Sequence, residues 1–228
     1  MSGPRKRGLA SSLREHRVAP GTARYDGCRE ICGRLEHPGL ATDVRRWIDH
    51  LGLETTVDQA RIEDALEALA PGADQCILHV GVGNSQLAER FAARVALIDG
   101  LTVWEPEQAY ARSLAIPGYK VHFLSKYARE FVRTIANRYD YIVDNNLASF
   151  ACCKFHFHRM LDNYVWCLRP GGRVLTDQCG MDWTVEDDPR WALTFDDLVV
   201  VGERFGLRAA AITDTVYEMR LADAGGDG

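Results

Sequence analysis

The sequence has no uninterrupted run of eighteen apolar residues and no secretory leader, so it is read as a soluble, cytoplasmic chain without a membrane partner. It also lacks a basic excess. The net charge is −5, and the one basic cluster, Arg5-Lys6-Arg7, sits in a Pro/Gly/Ser-containing N-terminal stretch, so no nucleic-acid partner is expected. Its seven cysteines are odd in number, and neither a CxxC nor an HxxxH spacing accompanies them. Cys28 and Cys32 would lie one helical turn apart and Cys152-Cys153 are adjacent, but such spacing gives neither a disulfide framework nor a zinc site. The thiols are expected as small packing groups, with no metal.

What is present is enough for one substantial core. At 228 residues and 46% apolar content, one main domain with an appendage is the natural division. The boundaries expected are a flexible segment at 1–21, a helical cap at 22–72, a main domain at 73–222 and a disordered tail at 223–228. In the cap, Thr22 opens a helix from Ala23 to Leu35 and Pro38 a second with Val44, Trp47, Ile48 and Leu51 at helical spacing. Thr56 starts a third, stopped by Pro71-Gly72.

From Cys76 the pattern changes to alternation. Strands are predicted at Cys76–Val80, within Val95–Trp104, and at Lys120–Leu124, Tyr141–Val143 and Arg173–Thr176; helices between them include Pro106–Leu114 and Ala151–Leu168. Alternation of this kind implies a doubly wound α/β fold, a parallel sheet covered on both faces. After a helix at Thr194–Phe205, the runs Arg208–Ile212 and Val216–Leu221 are joined by three residues and read as a hairpin. One of its strands must run antiparallel to the sheet.

The most informative segment follows the first strand. His79-Val80-Gly81-Val82-Gly83-Asn84-Ser85-Gln86 takes a strand through a glycine turn into a helix, which presents bare backbone N–H groups at a helix start. Gly81 permits the turn, Gly83 leaves room for a ligand against the backbone, and Asn84 or Ser85 caps the helix. Gln86 stands where a dinucleotide fingerprint has its third glycine. That disfavours a nicotinamide-dependent oxidoreductase, and the missing Lys-Ser/Thr pair excludes a P-loop.

With this loop, the Leu168-Arg169-Pro170-Gly171-Gly172 turn and the closing hairpin in order, the stretch from Asp74 to Leu221 resembles class I S-adenosylmethionine-dependent methyltransferases. The resemblance implies a Rossmann-like, mostly parallel sheet closed by an antiparallel hairpin, with S-adenosyl-L-methionine as cofactor. It assigns Gly81, Gly83 and Asn84 to the cofactor's amino-acid portion, and an acid at the end of the second strand to its ribose. Asp99 is the first choice for that acid and Glu105 the reserve. Ser125, Lys126 and Tyr127 fall where the adenine binds, although the usual acidic residue is missing there. Asp144, Asn145 and Asn146 fall beside the transferring methyl as the catalytic loop. The segment from Asp177 through Gln178 and Trp183 to Thr184 would help form an acceptor pocket, and the helical cap, with Tyr25, His37 and Trp47, is suited to cover the cofactor pocket. His156 and His158, two apart on a helix, cannot face the same way. The implied reaction is methyl transfer to a small-molecule acceptor, a metabolite or natural product. The alternative within the same fold is a cyclase or lyase that attacks the aminobutyrate chain and releases methylthioadenosine. The oligomeric state stays open.

Overall fold

The computed structural model describes residues 32–43, 51–135, 138–183 and 191–221. Tyr25, Cys28, Val44, Trp47, Ile48, Thr184 and both expected terminal tails lie outside these residues. The helix expected to end at Leu35 is described only in its last residues, where Arg34–Glu36 form a 3-10 turn after Gly33. Proline then opens a short helix, α1 (Pro38–Asp43), and Thr56 precedes α2 (Val57–Ala68).

The main body is a sheet of seven strands: β1 (Cys76–Val80), β2 (Leu97–Thr102), β3 (Tyr119–Phe123), β4 (Tyr139–Asp144), β5 (Leu168–Asp177), β6 (Leu207–Ala211) and β7 (Val216–Leu221). Their order is β3-β2-β1-β4-β5-β7-β6. The first five are parallel, while β7 runs antiparallel to both β5 and β6. Between the strands lie α3 (Gln86–Phe91), α4 (Glu105–Ser113), α5 (Phe131–Thr134), α6 (Lys154–Cys167), α7 (Gln178–Asp182) and α8 (Phe195–Arg204). Among the described residues no helix is long and apolar enough to cross a membrane.

Alternation along each strand divides the core between the two faces. Ile77, Ile98, Tyr141 and Leu175 pack against Ile62 and Leu66 of α2 and Leu87 and Phe91 of α3. Their neighbours Leu78, Ile142 and Val174 face the other way, onto Phe131, Phe157, Tyr164 and Leu198. Each such fully buried side chain contributes on the order of 1.5–3 kcal/mol. The Pro-Gly-Gly segment belongs to β5 as an irregularity: Tyr139 pairs with Leu168, but Tyr141 pairs with Arg173. A Cβ on Gly172 would stand 2.9 Å from the carbonyl oxygens of Arg169 and Tyr139, so only glycine fits the fold-back.

The chain leaves β1 toward β2 on one side and enters β4 on the other. At this reversal the connections after β1 and β4 diverge, which opens a crevice beyond the carboxyl ends of the strands.

Candidate functional site

A cavity of about 430 Å³ occupies that crevice. Its size falls in the range of roughly 300–1,000 Å³ typical of small-molecule sites. Gly81, Gly83, Asn84, Ser125, Lys126, Tyr127, Asp144, Asn145 and Asn146 all border it, so of the catalytic and cofactor-binding residues the resemblance assigns, only Asp99 and Glu105 do not; neither His37 nor Gln178 lines it.

The glycine loop turns as its composition requires. Gly81, Gly83 and Ser85 all have positive φ, at 77°, 49° and 63°. A Cβ on Gly81 would meet no protein atom within 4 Å, which leaves that approach to the backbone clear. Ser85 occupies the cap position of α3, but its hydroxyl pairs with Tyr119; the side chain that accepts from the first helical N–H is Asn84. Asn84 also donates to Leu53 O and Thr55 Oγ1, and Thr55 donates to Gln86. The segment before α2 is thereby stitched to the loop.

The second-strand acid needs correction. Asp99 lies inside β2 rather than at its end, buried, and accepts from His122 Nε2 at 2.9 Å and Tyr139 Oη at 2.7 Å. Its carboxylate is consumed in joining β2 to β3 and β4. Glu105, at the first position of α4, is exposed and does not border the cavity. The strand runs on to Thr102, and the carboxylate that reaches its end comes from Glu107, in the first turn of α4. Glu107 is buried, accepts from Thr102 Oγ1 and borders the cavity. No periodicity in the sequence marks it, since its position depends on where α4 starts.

The loop after β4 is held by a buried ion pair. Lys126 Nζ lies 3.0 and 2.8 Å from the two Asp144 carboxylate oxygens and also donates to the carbonyls of Asn146 and Leu147. Tyr164 Oη donates to the same carboxylate at 2.8 Å, and burial beside that negative charge pushes its phenol well above the usual range. Asp144 and Lys126 are therefore a brace between loops. Asn145 donates to Asp58 Oδ2 at 2.8 Å, while Ser125 donates to Leu35 O and Thr42 to Val103 O. These bonds lay the 32–43 segment along the cavity, with Leu35 and Ala41 among its walls. On the far wall, Trp183 packs against Phe150 with ring centroids 5.1 Å apart, and Cys179 is exposed beside them. Gln178 turns away to Leu193 O, and Asp177 is clamped by Arg61 through two bonds of 2.9 and 2.6 Å.

A polar row from α2 completes the floor. Gln59 Nε2 donates to Glu63 Oε1 at 3.2 Å and stands 3.4 Å from His79 Nε2; all three residues border the cavity. Burial pushes the Glu63 carboxyl up and the His79 ring down to about 4. For His79 the unfolded chain binds a proton that the folded chain refuses. Its contribution to stability is therefore full above about pH 6.5 and is lost as pH falls toward 4. Glu63 acts in the opposite sense, since its raised carboxyl favours the fold at low pH. Urea unfolding of the wild type compared with His79→Asn isolates the histidine: the wild type is expected to lose up to about 3 kcal/mol more than the variant between pH 6.5 and 4. Parallel curves would remove the buried ring from the account.

The thiols depart from their expected role as scattered packing groups. Cys32, Cys152 and Cys153 converge on His156, with all four potential ligand atoms within 4.8 Å of one another. Sequence spacing missed this because the first ligand is some 120 residues from the others. His158, as the two-residue offset requires, points elsewhere and meets Phe205 edge-on.

No known family profile matches the sequence, and no curated protein matches it. Solved structures do share the fold. N-methyltransferase NodS from Bradyrhizobium japonicum WM9 is 13% identical and superposes with a TM-score of 0.56, covering 72% of this chain and 94% of that one. The sugar N-methyltransferase KedS8 from Streptoalloteichus sp ATCC 53650 is 11% identical over 75% and 90%, with a TM-score of 0.56. The 1,6-didemethyltoxoflavin-N1-methyltransferase of Burkholderia thailandensis, solved with 1,6-didemethyltoxoflavin and S-adenosylhomocysteine, is 13% identical over 72% and 78%, also at 0.56.

Proposed function

We propose that this chain is an S-adenosylmethionine-dependent methyltransferase acting on a small-molecule acceptor. The observation that carries the reading is the cavity itself: a glycine loop with an unobstructed backbone on one side, and the buried Glu107 carboxylate one strand away. That pairing suits a nucleoside bearing an amino-acid tail, with Glu107 accepting from the ribose hydroxyls and the 81–84 backbone against the tail. The three fold neighbours are by name N-methyltransferases, one of a sugar and one solved with 1,6-didemethyltoxoflavin, which supports a small acceptor. A nicotinamide enzyme fits less well, because the strand beside β5 is the antiparallel β7.

When bound, S-adenosylmethionine supplies a methyl carbon made electrophilic by its sulfonium. The protein's part is positioning and exclusion of water. Tyr127, buried at the end of the β3 loop, offers a ring to the adenine. Asn145 and Asn146 position the acceptor, while Asp144 holds their loop in place through Lys126. Phe150 and Trp183 form an apolar wall against which the acceptor packs, and the 32–43 segment serves as the cap over the pocket.

The test is to identify the nucleoside product. The purified protein is incubated with S-adenosylmethionine alone and then with panels of small amines, alcohols and thiols. S-adenosylhomocysteine formed only with an acceptor is the expected result. Methylthioadenosine released without any acceptor would instead assign attack on the aminobutyrate chain and overturn methyl transfer.

A further inference from the structure

On the face of the sheet away from α2, the turn at residues 32–36 meets the start of α6. Cys153 Sγ lies 3.0 Å from His156 Nδ1, and the sulfurs of Cys32 and Cys152 each lie 3.3 Å from the same nitrogen. Cys32 Sγ and Cys153 Sγ are 3.8 Å apart. On the opposite edge of the ring, Nε2 is 2.6 Å from Glu36 Oε1, so the Nε2 proton is given to the carboxylate and the Nδ1 lone pair faces the sulfurs.

One lone pair accepts one proton, yet three sulfurs crowd it. Three thiol sulfurs and one imidazole nitrogen form the ligand set of a tetrahedral zinc ion. With Zn–S of about 2.3 Å and Zn–N of about 2.0–2.1 Å, tetrahedral edges come to roughly 3.5–3.8 Å, close to the spacings found. We propose that Cys32, Cys152, Cys153 and His156 bind one structural Zn²⁺, with Glu36 orienting the imidazole.

The surroundings fit that ion. Three thiolates and Zn²⁺ carry a net charge of −1, and Glu36 adds another. Arg159 and Arg129 contact Glu36 at 2.7 and 2.9 Å and balance both charges. A carboxylate on the far nitrogen of a metal-ligating histidine fixes the tautomer that leaves the near nitrogen free to bind. Binding replaces the thiol protons, which pass to solvent. With Cys152, Cys153 and His156 buried and no side chain leaving an open fourth position, the ion would be structural rather than catalytic.

The full-length chain, purified without chelator and with reductant, is expected to retain one zinc per chain by elemental analysis. After stripping, Co²⁺ added alone should give thiolate-to-cobalt charge-transfer bands and the intense visible bands of a tetrahedral ion. Glu36→Gln should lower zinc affinity by about 10- to 100-fold. Cys152→Ser should lower it further, and Cys76→Ser, remote in β1, should leave it unchanged. The cobalt spectrum of the wild type decides the matter even if Cys152→Ser does not fold. Folded, reduced wild-type protein that holds no zinc and gives no tetrahedral cobalt bands would overturn the proposal. So would an intact-mass deficit of two hydrogens mapped to a Cys32–Cys153 disulfide in the freshly isolated chain.

Discussion

Replacing Lys126 by Met is expected to lower the melting temperature by roughly 6–20 °C, the largest effect of any single substitution considered. Lys126 and Asp144 are 8% and 1% exposed, and the ammonium sits among four acceptors. Removing one partner of a buried pair leaves the other charge uncompensated, at about 3–5 kcal/mol. A domain of this size loses about 2–4 °C per kcal/mol. The double variant Lys126→Met/Asp144→Asn removes both charges and should recover at least half of the loss. Thermal unfolding followed by circular dichroism measures both. If the double variant melts no higher than the single one, the loss comes from packing and the carbonyl contacts, and the unpaired charge is unimportant.

The second large effect concerns affinity. Glu107→Gln keeps the size of the side chain and its bond with Thr102 but removes the negative charge proposed to accept from the ribose. Hydrogen bonds to a charged group contribute about 1.5–3 kcal/mol, so S-adenosylhomocysteine should bind roughly 10- to 150-fold more weakly by calorimetry. Glu105→Gln should bind as the wild type does. Asp99→Asn should instead lower thermal stability, because Asp99 ties His122 and Tyr139 together inside the sheet. A loss of affinity in Glu105→Gln with none in Glu107→Gln would return the ribose to the first residue of α4.

What was legible in the sequence is what neighbouring residues decide among themselves. Cys76–Val80 is a strand because five consecutive residues suit a sheet buried on both faces, and the glycines after it leave few other ways to turn. Thr194 begins α8 with a reciprocal cap to Asp197, a signal contained within four residues. The hairpin followed from two short runs with three residues between them. The second strand was harder, because Val95–Trp104 has no clean alternation, and Asp99 looked like a strand end when it is a strand centre. Its burial is tolerable only because His122 and Tyr139 arrive from other strands. Glu107 enters the site through the pitch of α4, and the thiols meet only because the 32–36 turn crosses to α6. Neither is written in local spacing.

The bonds of Cys32 and Glu36 to His156 also say something about order in time. They span 124 and 120 residues. At a synthesis rate of about 5–20 residues per second, the 32–36 turn leaves the ribosome roughly 6–25 s before its partner does. Closing so long a loop costs about 2 kcal/mol more than closing one of fifteen residues. The turn therefore docks late, on a sheet whose β1 to β4 strands have already been made. The wall it lends to the cavity therefore gains these anchors only after α6 has been made.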